Sequence, residues 1–169
     1  MHLCVNSGNT SVQFGTFDGG ALVAWRSVSA AEFDADALRE LVGGADIGAA
    51  IVGSVTPSRT PALSEAIREA TGRTALVAGA DAAVPVEVRL DAPGKVGVDR
   101  LLNAVAAHRR TGVQTIVVDA GTAVTVDLVS ATGAFCGGAI APGPSLMLRG
   151  MHLGAELLPE VPFEVPRFV

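Results

Sequence analysis

Several short segments of this 169-residue chain bring together residue types that could do chemistry. Asn6-Ser7-Gly8-Asn9-Thr10 reads as a tight turn at a strand end. Gly8 permits positive φ and lets a ligand approach the backbone, while Ser7, Asn9, Thr10 and Ser11 add short hydrogen-bonding groups. Such a nest of amides and hydroxyls holds a phosphate without a lysine, although the same letters also describe an ordinary polar hairpin turn. Asp119-Ala120-Gly121-Thr122-Ala123 follows the apolar run Thr115 to Val118. A carboxylate at a strand end beside a Gly turn suits a cation or a cation-bound phosphate, or an Asx-turn capping its own backbone. Asp127, further along the next strand, reads as a second ligand or a solvent-face residue, the latter favoured. Gly97-Val98-Asp99-Arg100 falls at a helix start, where the dipole favours a carboxylate such as Asp99. Arg100 beside it is a fork-shaped donor suited to a carboxylate ligand. Gly137-Gly138-Ala139-Ile140-Ala141-Pro142-Gly143 places glycines beside a strand and a helix N-terminus, which allows close packing or an anion site. His2, His108 and His152 have no partner at nucleophile–base spacing.

The elements that must position these segments follow from pattern. Short strands are expected over His2 to Asn6, Ser11 to Phe17 and Ala21 to Val28, with Asp18-Gly19-Gly20 as a hairpin. A helix capped by Ser29 carries Phe33, Ala37, Leu38 and Leu41 and ends at Gly43-Gly44. A buried strand, Ile47 to Val52, precedes a second helix opened by Thr56-Pro57-Ser58, with Leu63, Ala66, Ile67 and Ala70 on one face and Gly72 past its end. Thr74 to Val77 is a further strand, and Ala80 to Pro93 a loop. The second half runs as a helix over Val98 to Arg109, strands Gln114 to Val118, Ala123 to Val129 and Ala134 to Ala141, and a helix from Ser145 to about Leu153. Leu158 to Val169 reads as extended. The fold class is α/β, a mixed sheet with helices packed on it. The start of the second half repeats the first. Cys4-Val5-Asn6-Ser7-Gly8-Asn9-Thr10 and Val117-Val118-Asp119-Ala120-Gly121-Thr122-Ala123 share an apolar strand end, an Asx, a small residue, a Gly and a Thr.

Composition excludes several classes. Hydrophobic residues make up 49% and charged residues 17% of the chain, against about 25% charged in an average domain. With a mean hydropathy of +0.45, this is no disordered chain. The hydropathy comes from dispersed Ala and Val, and no run approaches the roughly 18 apolar residues of a membrane span. Met1 to Thr10 lacks the basic and apolar regions of a secretory signal, so a cytoplasmic protein is expected. The net charge is −5, Lys95 is the sole lysine and the arginines are scattered. No basic stripe points to nucleic acid or to an anionic membrane. Cys4 and Cys136 lack metal or disulfide spacing and are expected as reduced, buried thiols.

The paired strand–turn–strand units resemble the sugar kinase, Hsp70 and actin superfamily, whose fold is a duplicated RNase H-like (actin-like ATPase) domain. Within it the chain is similar to the type III pantothenate kinases. The resemblance rests on Asn6 to Thr10, Asp91-Ala92-Pro93 through Gly97-Val98-Asp99-Arg100, Asp119 to Ala123, and Gly137 to Gly143, in the family's order. It implies ATP-dependent phosphorylation of pantothenate to 4'-phosphopantothenate, the first step of coenzyme A biosynthesis. By position it implies ATP phosphates cradled by Asn6, Ser7, Gly8, Asn9, Thr10, Ser11, Val12 and Gln13, with a further contact from Thr122. It implies pantothenate bound by Gly97, Val98, Asp99 and Arg100, with Asp99 as the base on the primary hydroxyl and Arg100 near the carboxylate. Asp119 would hold a monovalent cation, K+ or NH4+, while Mg2+ accompanies ATP, and the family works as a homodimer with substrate sites near the interface. Residues 1–80 would form the first RNase H-like domain, and residues 81–169 a connecting loop and the N-terminal part of an incomplete second half.

Three departures qualify the family pattern. Asn6 stands where the family's first motif begins with Asp, and a neutral amide binds Mg2+ or its water less strongly. Leu90 stands where a Tyr commonly lines the pantothenate pocket, in a chain with no Tyr at all, and by that position is expected among the substrate-binding residues. The family continues with a Gly-Thr-rich helical segment, and this chain ends at Arg167-Phe168-Val169 before it. Weak turnover is therefore expected, and a catalytically impaired or non-catalytic binding or dimerisation protein is the alternative reading.

Overall fold

The computed structural model describes residues 1–33 and 35–164. They fall into two compact units: Met1–Pro85 with Gly94–Val105, and Val86–Pro93 with Ala106 onward.

In the first unit, β1 (His2–Ser7), β2 (Ser11–Asp18) and β3 (Ala21–Ser29) form an antiparallel meander. Gly19 and Gly20 close its hairpin with φ of 54° and 90°, the left-handed geometry that a two-residue loop needs. β4 (Ala49–Ser54) adds parallel to β1, and β5 (Ala75–Val77) parallel to β4, giving the order β3-β2-β1-β4-β5. Alternation puts Leu3, Val5, Val12, Phe14, Ala50 and Val52 on one face. Helix α1 (Ala35–Val42) buries Leu38 and Val42 against that face, and α2 (Thr60–Thr71) buries Leu63, Ala66 and Ile67. Gly72 caps α2 in a left-handed conformation, its amide donating to Arg68 at 2.8 Å.

Three sequence expectations shift here. Ser29 does not cap α1; it ends β3, because Ala30 N donates to the Thr10 carbonyl at 2.8 Å and keeps the chain beside β2. Phe33 then packs ahead of the helix, edge-on to Phe14 at 6.4 Å. α2 opens at Thr60 rather than at Thr56, since Ser54 and Thr56 are engaged with each other below the first turn. β4 starts at Ala49, although Ile47 is buried as expected.

A 3-10 turn at Pro93–Lys95 precedes α3 (Val98–Thr111), whose residues through Val105 belong to the first unit. In the second unit, β6 (Thr115–Ala120), β7 (Ala123–Val129) and β8 (Phe135–Pro142) pair antiparallel in that order, and α4 (Pro144–Gly154) follows. Phe135, Val129 and Ala134 are buried, and Val88 bridges to Phe135. Asp127 is buried at 2% exposure, which corrects the solvent-face expectation. It lies opposite Gly138, where a Cβ would collide with its Oδ1, so the missing side chain makes room for the carboxylate. Cys4 and Cys136 are free and only half-buried, and burial pushes the Cys4 thiol pKa up. Among the described residues no helix is long and apolar enough to cross a membrane. Residues 155–164 carry no helix or strand, and the rest of the Leu158 to Val169 stretch lies outside the described residues.

Candidate functional site

The first turn joins β1 to β2. Asn6 pairs with Gln13 across it and lies beside Gly53 of β4. Gly8 does not use the positive φ that glycine permits. Its amide closes the turn onto Ser11 O at 3.0 Å, and a Cβ at Gly8 would lie 3.3 Å from that same oxygen. Asn6, Asn9 and Thr10 are exposed, and Gly8, Ser11 and Gln13 are half-buried. Ser7 and Val12 face the other way: Val12 is part of the core, and the fully buried Ser7 Oγ lies 2.7 Å from Thr56 Oγ1. Of the eight turn residues assigned to ATP, these two therefore offer only backbone to a ligand. Arg59, which the sequence did not single out, donates from Nη1 to the Gly8 carbonyl at 2.9 Å. Its signal was local, a cation among small polar residues, but its target lies on a distant turn.

The segment Gly97 to Arg100 forms the start of α3 in the same unit. Asp99 Oδ1 accepts the Arg100 amide at 2.8 Å, which satisfies one of the unpaired donors of the first helical turn and fixes the carboxylate. A Cβ at Gly97 would sit 2.5 Å from that oxygen, so the residue type leaves space for it. Val98 lies against Gly79, at 3.5 Å from its Cβ position. Leu102, one turn beyond Asp99, reaches 2.9 Å from the Cβ position of Gly53, and Asn6 Oδ1 lies 3.9 Å from the same point. The sheet face that carries Asn6 is thus the face that α3 meets.

The second unit holds the other assigned residues. Asp119 is exposed near the end of β6 and pairs with Thr125. Its turn is tied to the start of α4: Gly143 N donates to Thr122 O at 2.9 Å, and a Cβ at Gly143 would fall on the carbonyls of Gly121 and Thr122. Thr122 is half-buried. Gly137 adopts φ 94°, and its Cβ position is 3.0 Å from Leu90, which is 39% exposed. Among the described residues no three His, Cys, Asp or Glu side chains gather into a metal cluster. One exposed carboxylate beside Thr125 fits a cation whose remaining ligands are waters and substrate oxygens, not an all-protein cage.

The order β3-β2-β1-β4-β5, with the Gly8 turn joining its first two strands, is a mixed α/β sheet of the kind the sequence resemblance implies. The family model of the type III pantothenate kinases matches residues 2–169. The type III pantothenate kinase of Paramagnetospirillum magneticum is 40% identical, covering 100% of this chain and 69% of its own length. That of Rhodospirillum rubrum is 37% identical, with 100% and 70% covered. Among solved structures, the ethanolamine utilization protein EutJ from Carboxydothermus hydrogenoformans superposes with a TM-score of 0.49 at 18% identity, covering 94% of this chain and 58% of that one. The chain belongs to the type III pantothenate kinase family, whose reaction is the phosphorylation of pantothenate in coenzyme A biosynthesis.

Proposed function

We propose that this chain carries out that reaction with Asp99 as its general base. The hydroxyl oxygen of pantothenate attacks the γ-phosphorus of ATP, the bond to the bridging oxygen breaks, ADP leaves, and the hydroxyl proton passes to Asp99. The observation that carries this reading is the pinned carboxylate. Oδ1 is held by the Arg100 amide beside a bare Gly97, which leaves Oδ2 to accept the proton. Proton transfer of this kind contributes about 10²- to 10⁴-fold. Arg100 takes the pantothenate carboxylate. The β1–β2 turn takes the ATP phosphates through its backbone and the side chains of Asn9, Thr10 and Ser11. Asp119 would hold K+ or NH4+, and Mg2+ bound with ATP would supply charge neutralisation for the transferring phosphate. Asn6 contributes an amide where a carboxylate would grip the metal more firmly, so turnover is slow. We read the protein as a cytoplasmic homodimer.

The test is pantothenate-dependent ADP release in Mg2+ and K+. Slow release is expected, and Asp99→Asn should lower it by at least about a hundredfold while pantothenate binding persists. Release that survives Asp99→Asn would overturn the assignment. Wild-type chain that binds pantothenate without releasing ADP would favour the non-catalytic binding reading, which the neutral Asn6 supports.

A further inference from the structure

A turn that receives phosphate must keep its own carbonyl oxygens away from the anion. In and beside the β1–β2 turn four such oxygens are each tied to a donor. Ser7 O accepts Val55 N at 3.1 Å, Thr10 O accepts Ala30 N at 2.8 Å and Ser11 O accepts Gly8 N at 3.0 Å. Those donors are main-chain amides. Gly8 O is different, because its donor is the side chain of Arg59, at 2.9 Å. A trans peptide is planar, so its C=O and N–H point in opposite directions. Drawing Gly8 O toward Arg59 therefore turns the Asn9 amide the other way, at an exposed position. Arg59 is delivered by a hydroxyl chain beneath the turn: Ser7 Oγ to Thr56 Oγ1 at 2.7 Å, Thr56 Oγ1 to Ser54 Oγ at 3.3 Å, and Thr60 Oγ1 donating to Ser54 Oγ at 2.9 Å. Arg59 itself stands at the N-cap of α2, makes no side-chain cap bond and is half-buried. Its guanidinium is a fixed positive charge against the turn, in a chain whose sole lysine, Lys95, is exposed in the 3-10 turn.

We propose that Arg59 is a positioning residue for the nucleotide: through the Gly8 carbonyl it holds the Gly8–Asn9 peptide with its N–H facing the phosphate. This rests on the reading of the β1–β2 turn as the ATP site. The proposal separates ATP from pantothenate, because the pantothenate residues stand on α3 and not on the turn.

Calorimetric titration with Mg-ATP and, separately, with pantothenate tests it on the whole chain. Arg59→Met keeps the aliphatic stem and removes every donor. It should weaken Mg-ATP binding about tenfold, the effect of losing one charge-assisted hydrogen bond, and leave pantothenate affinity unchanged. Arg59→Lys keeps a cationic donor and should restore most of the Mg-ATP affinity. Unchanged Mg-ATP affinity in Arg59→Met would overturn the proposal. So would an equal loss for both ligands, which marks a purely structural role, or an Arg59→Lys variant no better than Arg59→Met. Wild-type chain that binds no Mg-ATP would refute the ATP reading of the turn itself, and this inference with it.

Discussion

The two sheets open alike and end differently. Each begins with a strand, a Gly turn, an antiparallel return strand and a third antiparallel strand. In the first, β4 and β5 extend the sheet and α1 and α2 cover one face, so that Leu3, Val12, Phe14 and Val52 are removed from water. In the second, Ile116, Val118, Val126 and Leu128 share one face by register and remain exposed, Ile116 at 66% and Val118 at 61%. The lesson is that strand pairing sets the backbone, while burial depends on what lies over the sheet. The high mean hydropathy of +0.45 has the same origin. It reflects a covered apolar face in one unit and a sizeable open apolar patch in the other.

Substitutions sharpen that contrast. The largest effect is expected in the first sheet. Phe14→Ala removes a fully buried ring and should cost about 3–5 kcal/mol. Ile116→Ala, at a side chain 66% exposed on the open face of the second sheet, should stay within about 0.5 kcal/mol. Urea unfolding of both variants makes the comparison. A comparable cost at Ile116 would mean that this face is covered in solution and the contrast false.

A smaller effect separates the two turns. Gly143→Ala drives a Cβ onto two backbone carbonyls of the Asp119 turn, a clash worth about 1–3 kcal/mol. Gly8→Ala meets only Ser11 O at 3.3 Å, so its cost should be less than about 1 kcal/mol. The ranking of the two melting temperatures checks this. If Gly8→Ala proved the worse, the first turn would be the more tightly packed of the two.

How much of this was legible in the sequence depended on the range of each interaction. Strands and turns were readable because apolar runs and Gly pairs are local signals, as at Asp18-Gly19-Gly20. The start of α1 was not, because Ser29 has the chemistry of a helix cap but is held in β3 by the Ala30–Thr10 bond. Asp127 was misread because a charged residue in an alternating strand normally faces water, and here Gly138 on the neighbouring strand makes room for it. The place of Asp99 in the first turn of α3 was legible, since a helix start and its carboxylate lie within a few residues. Arg59 was not, because its partner Gly8 is 51 positions away and only the fold brings them together.

The central claim is the proposal that ATP binds at the β1–β2 turn and pantothenate at the start of α3, both on the covered first sheet. Hydrogen exchange with and without Mg-ATP and pantothenate tests it most directly. The account predicts slow amides in β1, β2 and β4, faster ones in β6 to β8, and ligand-induced slowing in peptides spanning residues 6–13 and 97–101. Exchange in those two peptides that is unchanged by saturating ligand would contradict it.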